Sequence, residues 1–245
     1  MVELFRFVNK DQTIDFEVLL ECFSRYYCGS FAIFFEGIEF RPVTVDAVLN
    51  KEIKDEKDMQ EGILLDQGEK LFSVSKVSMK KCYMLSAKSV IYSSPNVKCR
   101  NRVPPARSRC RFTEVVEILS HYEFRIKCSI ETKLLSPNTN YGCFLVFQIS
   151  EECRGLKGPV KGRNLLPHKN KETNIISFRT PSQVNLQYLK WIPAEREDGW
   201  MEVIVWKIHS ENEQIGEYIP MDMKLTNFEG SMSGLIVCGI EFRPI

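Results

Sequence analysis

Short segments in which apolar and polar residues alternate dominate the chain, and this period of two is typical of β-strands. Between residues 121 and 130 the apolar positions are Tyr122, Phe124, Ile126, Cys128 and Ile130, which predicts a strand with one buried face. The turn-forming stretch SPNTN follows at 136–140. Segment 141–149 is then apolar at almost every position, so we expect a central strand that is covered on both faces.

Further apolar runs, separated by turn-forming residues, predict the remaining strands. They lie at 70–78, 86–92, 174–179, 184–189, 200–208, 221–225 and 234–242. Trp200 and Trp206 have the same parity within one of these runs, which predicts that both lie on one face of the strand, in the core. Many short strands with few helical patterns predict an all-β domain, an antiparallel β-sandwich with one or two short helices.

Three segments have patterns other than alternation. Residues 112–119, with the sequence FTEVVEIL, carry apolar side chains at the spacing of one face of a two-turn helix. Residues 45–62 are dense in charge and predict a linker that is partly helical. Residues 154–174 are rich in glycine, proline and lysine, which predicts a long exposed loop between strands.

The hexapeptide GIEFRP ends two similar stretches of the chain, 31–42 and 233–244. Self-similarity of this kind indicates two copies of one domain. We therefore expect 1–43 to be the truncated C-terminal part of a first domain, 44–62 a charged linker, and 63–245 a complete second domain.

Composition and charge narrow the function classes. The 33 Lys and Arg residues balance 32 Asp and Glu residues, which argues against a broad nucleic-acid surface. No apolar run approaches the roughly 20 residues of a membrane helix, so we expect no membrane span. The nine cysteines include no CxxC pair, and Cys128, Cys143 and Cys238 fall in strand patterns, where a thiol behaves as a small buried apolar group. This usage predicts a cytoplasmic or nuclear protein.

Motifs of catalytic chemistry are absent from the sequence. No nucleophile motif accompanies His121, His168 or His209, and neither GxSxG nor GxxxxGK[ST] occurs. The glycines and lysines of GLKGPVKG at 155–162 lack the strand-then-helix context of a phosphate loop. We therefore expect a protein that is not an enzyme and that uses no cofactor or metal.

Five blocks of the sequence resemble, in order, the plant phloem protein 2 family of lectin-like domains. They are LSAKSVIY at 85–92, RFTEVVEIL at 111–119, IKCSIETKLLSPNTNYGCFLVFQI at 126–149, REDGWMEV at 196–203 and SGLIVCGIEFRP at 233–244. The resemblance implies a jelly-roll-like lectin sandwich that binds N-acetylglucosamine oligomers or N-glycan cores in the cytosol and nucleus. Tandem copies of this kind resemble an arrangement in composite-family plants in which the domain is joined to a kinase-like domain.

The resemblance also implies where a sugar would bind. Family members that bind sugar use two tryptophans just after the LSAKSVIY-like strand, assisted by acidic residues late in the chain. Here Tyr92 stands at about the first tryptophan position, and a late acidic position falls at Tyr218, one residue from Glu217. The second tryptophan position falls near Lys98 or Cys99, and neither side chain can stack on a sugar ring. The candidate carbohydrate-binding residues are therefore Tyr92, Glu217 and Tyr218, in a site that we expect to be weakened.

Two functions stay open on these grounds. The first is a carbohydrate-binding module whose partners are glycans or glycoproteins. The second is a non-catalytic protein-interaction or regulatory module, associated with kinase-like proteins, that keeps the sandwich and has dropped sugar recognition. Nucleic acid is not an expected partner of either.

Overall fold

The computed structural model describes residues 62–91, 94–102, 110–119, 121–153, 155–166, 173–180, 191–210 and 218–245. Every structural statement below concerns these residues. The truncated domain expected at 1–43, all but the last residue of the linker expected at 44–62, and the strand expected at 184–189 lie outside them. The division of the chain into domains therefore stays a prediction.

The described residues form thirteen β-strands and very little helix. In chain order the strands are β1 (Ile63–Leu65), β2 (Lys70–Val74), β3 (Lys81–Ser86), β4 (Val97–Asn101), β5 (Glu114–Ile118), β6 (Glu123–Glu131), β7 (Thr139–Ile149), β8 (Val160–Asn164), β9 (Thr173–Ile176), β10 (Ala194–Glu195), β11 (Met201–Ser210), β12 (Tyr218–Asn227) and β13 (Leu235–Pro244). The helical elements of this part of the chain are α1 (Ala87–Val90) and two 3₁₀ turns, Asp66–Gly68 and Thr132–Leu134.

These strands form two antiparallel sheets that face each other. The larger sheet has nine strands in the order β1-β2-β3-β13-β7-β11-β10, with β5 beside the first part of β13 and β4 beside β5. The smaller sheet has four strands in the order β6-β12-β8-β9. Across the interior, Asn174 Nδ2 of β9 donates to the Val205 carbonyl of β11 over 3.4 Å. The predicted all-β antiparallel sandwich is confirmed.

The predicted periodicities are visible in the burial of the strands. In β6 the side chains of Phe124, Ile126 and Ile130 are buried, whereas Arg125 and Lys127 are exposed, as alternation predicts for a strand with one buried face. In β7 every residue from Tyr141 to Phe147 is buried. This central strand is covered on both faces, as its unbroken apolar sequence predicts.

The two faces of the larger sheet are buried in different ways. On the inner face, the ring of Phe147 meets Phe178 edge to face, with the ring centroids 4.9 Å apart. On the outer face, Val146 belongs to a second buried cluster that includes Leu71, Met84 and Trp200. The outer cluster therefore stabilises the sheet from the side that the smaller sheet does not cover.

The helix expected over 112–119 is wrong, because 114–118 form the strand β5. Val115, Val116 and Ile118 are β-branched and buried, and such residues favour strands. A strand that is buried on both faces is apolar at most positions, so over eight residues it also fits one helical face. Periodicity alone cannot separate the two structures at this length.

The strand expected over 86–92 is also wrong, because Ala87–Val90 form α1. The helix begins at an N-cap formed by Ser86, whose Oγ accepts a hydrogen bond from the Ser89 amide over 3.3 Å. The Ser89 hydroxyl donates in turn to the Ser86 carbonyl over 2.9 Å. These local bonds stabilise a helical turn that the apolar residues of the segment do not reveal.

The exposed loop expected over 154–174 is wrong in its middle, where β8 pairs with β12 on one side and β9 on the other. Its glycine content reflects close packing, because a Cβ on Gly162 would lie 3.1 Å from Ile176 Cδ1 and 3.3 Å from Leu225 Cδ2. Glycine in a strand often marks such an approach. Close neighbours therefore favour glycine at this position of the segment.

Trp200 and Trp206 do not lie on one face of their strand, contrary to the parity prediction. A β-bulge shifts the register, so that Ile204 lies opposite Phe144 whereas Trp206 lies opposite Cys143, the next residue along β7. The extra residue of a bulge reverses the parity of everything beyond it. Trp200 is consequently buried in the outer cluster, and Trp206 is half-buried on the other side of the sheet.

Cys238 is not the free apolar thiol that its strand pattern predicts. It forms a disulfide with Cys110, with the two Cα atoms 6.7 Å apart, and both residues are fully buried. Cys238 lies at an irregularity in β13 between Val237 and Gly239. The disulfide joins the segment before β5 to the middle of the larger sheet.

Alkylation of the folded protein at about pH 8 is expected to reach Cys99 much faster than Cys128 or Cys143. Cys99 is exposed on β4, whereas burial raises the pKa of Cys128 to about 12 and the pKa of Cys143 well above its usual value. The reactive thiolate is therefore scarce at the half-buried Cys128 and at the buried Cys143. Mass spectrometry of peptides after a short exposure to iodoacetamide measures the three rates, and equal labelling of Cys143 and Cys99 would contradict the expectation.

Candidate functional site

Tyr218 is the predicted sugar-site residue that the structure describes. It opens β12, its side chain is 59% exposed, and it lies directly opposite Glu131 of β6. Tyr92 and Glu217 lie outside the described residues. Ile91, which precedes Tyr92, bridges Ile126, five residues along β6 from Glu131. The grouping of Tyr92, Glu217 and Tyr218 in one site stays a prediction.

Tyr218 belongs to the side of the smaller sheet that points away from the interior. Because side chains alternate, this surface is built from the positions between the buried ones of each strand. We call it the solvent face; it comprises Glu123, Arg125, Lys127, Ser129, Glu131, Lys161, Arg163, Thr173, Ile175, Tyr218, Pro220, Asp222, Lys224 and Thr226.

Ion pairs cover part of the solvent face. Arg125 donates to both carboxylate oxygens of Asp222, with Nε 2.6 Å from Oδ1. This cover leaves the Asp222 side chain only 8% exposed although it points outward. Lys224 Nζ lies 2.7 Å from Glu123 Oε2 on the same face. At the Tyr218 end, Lys133 Nζ lies 2.6 Å from Glu131 Oε2, which leaves the second carboxylate oxygen of Glu131 to other contacts.

A second candidate lies on the outer face of the larger sheet, where two of the sequence blocks meet. Arg196, from the REDGW block, lies with Nη1 2.9 Å from Glu202 Oε2 and 2.5 Å from Glu241 Oε2. Arg243, from GIEFRP, donates to Glu202 and has its guanidinium carbon 3.7 Å from the centre of the Phe144 ring. We call Arg196, Asp198, Glu202, Glu241 and Arg243 the ion-pair cluster.

The charge of Arg196 is strongly favoured in this environment. Burial alone would lower the pKa of Arg196, but the carboxylates of Glu241, Asp198 and Glu202 raise it above its usual value. The cluster holds two guanidinium groups and three carboxylates, and its short contacts join them to one another. Its main role is therefore structural, since it satisfies charges that the fold has removed from water.

A groove of about 280 Å³ lies above the ion-pair cluster. Its lining includes Arg196 and Glu241 of the cluster, together with Ser73, Ser75 and Lys76. Arg196 and Glu241 already bond to each other, and the Ser75 hydroxyl accepts from the Ser78 amide over 3.3 Å. The groove therefore offers a ligand fewer uncommitted polar groups than the solvent face does.

The cations of the solvent face were not identified as site residues from the sequence. Arg125, Arg163 and Lys224 come from three strands that are distant in the chain but adjacent in the sheet. Each looks like an ordinary polar residue of an alternating strand. The signal that could have found them is the alternation of Lys and Arg with buried positions in β6 and β8, combined with the strand order.

The fold and the surface together define an all-β sandwich domain with a polar sheet face that carries an exposed aromatic residue. Within the described ranges, no group of three or more His, Cys, Asp or Glu residues is placed to hold a metal ion. No helix among the described residues is long and apolar enough to cross a membrane.

The model of the phloem protein 2 family matches residues 80–244, well over half of the chain. The chain belongs to the phloem protein 2 family. The resemblance carried by the five sequence blocks is thereby confirmed at the level of the family. Membership in this family and the sandwich fold point to a non-catalytic module.

Curated relatives from Arabidopsis thaliana are similar over about three quarters of this chain. F-box protein At2g02240 is 31% identical over 191 residues, which cover 74% of this chain and 57% of that protein. F-box protein PP2-B13 is 29% identical over 216 residues, covering 76% and 73%. Putative F-box protein PP2-B12 is 35% identical over 195 residues, covering 74% and 68%. The chain thus spans little more than half of the first of these relatives.

Proposed function

We propose that the domain is a carbohydrate-binding module that recognises N-acetylglucosamine oligomers or N-glycan cores. The observation that carries the proposal is the pairing of the exposed Tyr218 with Glu131 on the neighbouring strand. Directly opposite residues place their Cβ atoms about 5 Å apart. A sugar ring offers an apolar face to an aromatic side chain and hydroxyl groups to a carboxylate, so this pair suits one sugar unit.

We further propose that neutral sugars bind weakly. Lys98 and Cys99, at the position that aligns with the second tryptophan of sugar-binding members, are exposed on β4 and offer no aromatic surface. Loss of one stacking aromatic removes roughly 1–3 kcal/mol of binding free energy, comparable to burial of one large apolar side chain. Tyr92 and Glu217 remain the proposed partners of Tyr218 in the site.

Replacement of Tyr218 by alanine is expected to weaken binding of an N-acetylglucosamine oligomer about tenfold, since an apolar contact of roughly 1.5 kcal/mol is lost. Titration calorimetry on the full chain with chitotetraose measures the change. Tyr122→Ala is a matched control, because Tyr122 is also exposed, at 55%, and lies beyond the opposite end of β6. Equal affinity of Tyr218→Ala and the unmodified protein would contradict the proposed site.

A protein-interaction module is the second candidate function. The turn between β2 and β3 exposes Val77 almost completely and Met79 by 63%, and apolar side chains at the tip of a hairpin suit a protein partner. The relatives named F-box proteins suggest a partner of the regulatory class. A kinase-like partner is proposed from the family resemblance alone. If this function is the right one, Val77→Ser with Met79→Ser abolishes partner binding, and soluble chitin oligomers do not compete with the partner.

We also propose that the protein works in the cytosol or nucleus. The exposed thiol of Cys99 and the unpaired thiols of Cys128 and Cys143 are compatible with a reducing compartment. The Cys110–Cys238 disulfide is fully buried, which shields it from soluble reductants. Fractionation of cells that express the tagged full chain tests this, and its recovery from the secreted fraction would overturn it.

A further inference from the structure

We propose that the solvent face of the smaller sheet binds an anionic polysaccharide whose sugars carry carboxylate groups. The proposal rests on the proposed carbohydrate-binding function and names the chemical class of its ligand. The observation behind it is a row of three cations on adjacent strands. Arg125 of β6 lies directly opposite Lys224 of β12, which lies directly opposite Arg163 of β8.

Such a row is unfavourable in a sheet that binds nothing. Like charges directly opposite each other destabilise a strand pair, and opposite charges are the favoured arrangement. Two of the three cations have carboxylate partners, since Arg125 binds Asp222 and Lys224 binds Glu123. Among the described residues, Arg163 has none.

Two further cations of the solvent face also lack a carboxylate partner in the described part of the chain. Lys127 is exposed in β6, one alternation step from Arg125. Lys161 lies two residues before Arg163 on the same face of β8, and its ammonium group lies 5.9 Å from the centre of the Phe228 ring. Lys127 lies opposite Asp222, but both carboxylate oxygens of Asp222 are already held by Arg125. Within the described ranges the face therefore presents three cations without an ion pair, which is a surface that fits an extended anion.

The rest of the face favours a sugar polymer over other polyanions. Glu123 and Asp222 lie among the cations and would repel an unbroken row of phosphates. Arg125 covers Asp222, but the Glu123 carboxylate is partly exposed and can accept hydrogen bonds from sugar hydroxyls. Bases of single-stranded nucleic acid need aromatic side chains along the path of the strand. Between Tyr218 and Thr226, the solvent-facing residues of β12 are Pro220, Asp222 and Lys224.

Aromatic side chains stand at the two ends of the face instead. Tyr218 begins β12 and Phe228, which is 70% exposed, follows its end. Phe228 stands ten positions after Tyr218, which corresponds to about 33 Å of extended strand. This length suits an oligosaccharide that stacks on an aromatic ring at each end and places carboxylates over the cations between, where arginine can bind them in bidentate fashion.

The test uses oligogalacturonate, the same oligomer with its carboxyl groups methyl-esterified, and poly-glutamate, each titrated into the full chain. Oligogalacturonate is expected to bind at least about tenfold more tightly than its neutral ester, with affinity that falls as salt rises from about 0.02 to 0.2 M. Equal affinity for acid and ester would overturn the proposal. So would poly-glutamate binding as tight as oligogalacturonate binding, since the face would then take an acidic polypeptide.

A double variant, Arg163→Gln with Lys127→Gln, is expected to lower the affinity for oligogalacturonate roughly tenfold. Lys76→Gln with Lys80→Gln removes the same charge from the hairpin between β2 and β3 and is expected to leave the affinity unchanged. Arg163→Gln removes repulsion from Lys224, whereas Lys127→Gln removes the attraction of Asp222 on the neighbouring strand, so the melting temperature of the first variant should stay close to that of the unmodified protein. Unchanged affinity in a fully folded first variant would overturn the proposal.

The two proposals fail separately in this design. If chitotetraose binding depends on Tyr218 and oligogalacturonate binds no more tightly than its ester, the proposal of an anionic ligand is overturned and the proposed carbohydrate-binding function stands. If oligogalacturonate binding depends on Arg163 and chitotetraose does not bind, the proposal of an anionic ligand stands and the proposal of a neutral N-acetylglucosamine ligand is overturned.

Discussion

Replacement of Gly239 by alanine is expected to lower the free energy of unfolding by about 3 kcal/mol or more. A Cβ on Gly239 would lie 2.2 Å from the carbonyl oxygen of Leu85, a backbone atom of β3. Neither strand can move aside easily, because β13 is held between β3 and β7 in the middle of the larger sheet. For a domain of this size the melting temperature should fall by roughly 10 °C.

Gly68→Ala separates the effect of space from the effect of backbone conformation. Gly68 has a φ of +85° but nothing within 4 Å of its Cβ position, so its substitution should cost only about 1 kcal/mol. Chemical denaturation of both variants measures the difference. A Gly239→Ala protein no less stable than Gly68→Ala would show that β3 and β13 do not approach as closely as described.

This close approach explains part of the GIEFRP block, in which the residues from Gly239 to Arg243 each have a structural role. Ile240 and Phe242 are fully buried in the sandwich, and Glu241 and Arg243 belong to the ion-pair cluster. The hexapeptide is thus the sequence of a strand that lies between two others and contributes to both faces of the sheet. A second copy of the hexapeptide is what a second domain of the same kind would need.

The strands that could be predicted from the sequence are those whose burial follows from the strand itself. β6 has one solvent-exposed and one buried face, so the alternation of polar and apolar residues identified it. β7 lies in the centre of the larger sheet, so its unbroken apolar sequence identified it. The misassigned segments depend on neighbours or on local hydrogen bonds. β5 is apolar because other elements cover both its faces, and α1 forms because Ser86 caps it. The bulge before Trp206 places this residue on the opposite face of the sheet from the one that its even spacing from Trp200 predicts.

The candidate site could be predicted only where a single position carries the information. Tyr218 could be predicted from the family resemblance, because it stands at about the position of a late acidic residue that assists sugar binding in other family members. The row formed by Arg125, Lys224 and Arg163 depends on the pairing of β6 with β12 and of β12 with β8. Long-range register of this kind has no local signal, because each strand alone reads as an ordinary alternation of polar and apolar residues.

Replacement of Arg196 by methionine is expected to lower the free energy of unfolding by about 3–5 kcal/mol. The Arg196 side chain is only 6% exposed and makes ion pairs with Asp198, Glu202 and Glu241. Methionine keeps much of the volume but removes the charge, so buried carboxylates lose a partner that water cannot replace. Denaturant titration at neutral pH measures the loss.

Arg243→Met provides the matched control for this second prediction. It removes the same charge from Glu202 and Glu241, but its side chain is 27% exposed, so solvent screens the lost contacts and the expected cost is about 1–2 kcal/mol. Adding Glu241→Gln to Arg196→Met should recover about 1 kcal/mol, because one uncompensated carboxylate is then neutral. No recovery in the double variant would mean that Arg196 stabilises the sheet through packing alone, and the electrostatic account of the ion-pair cluster would be wrong.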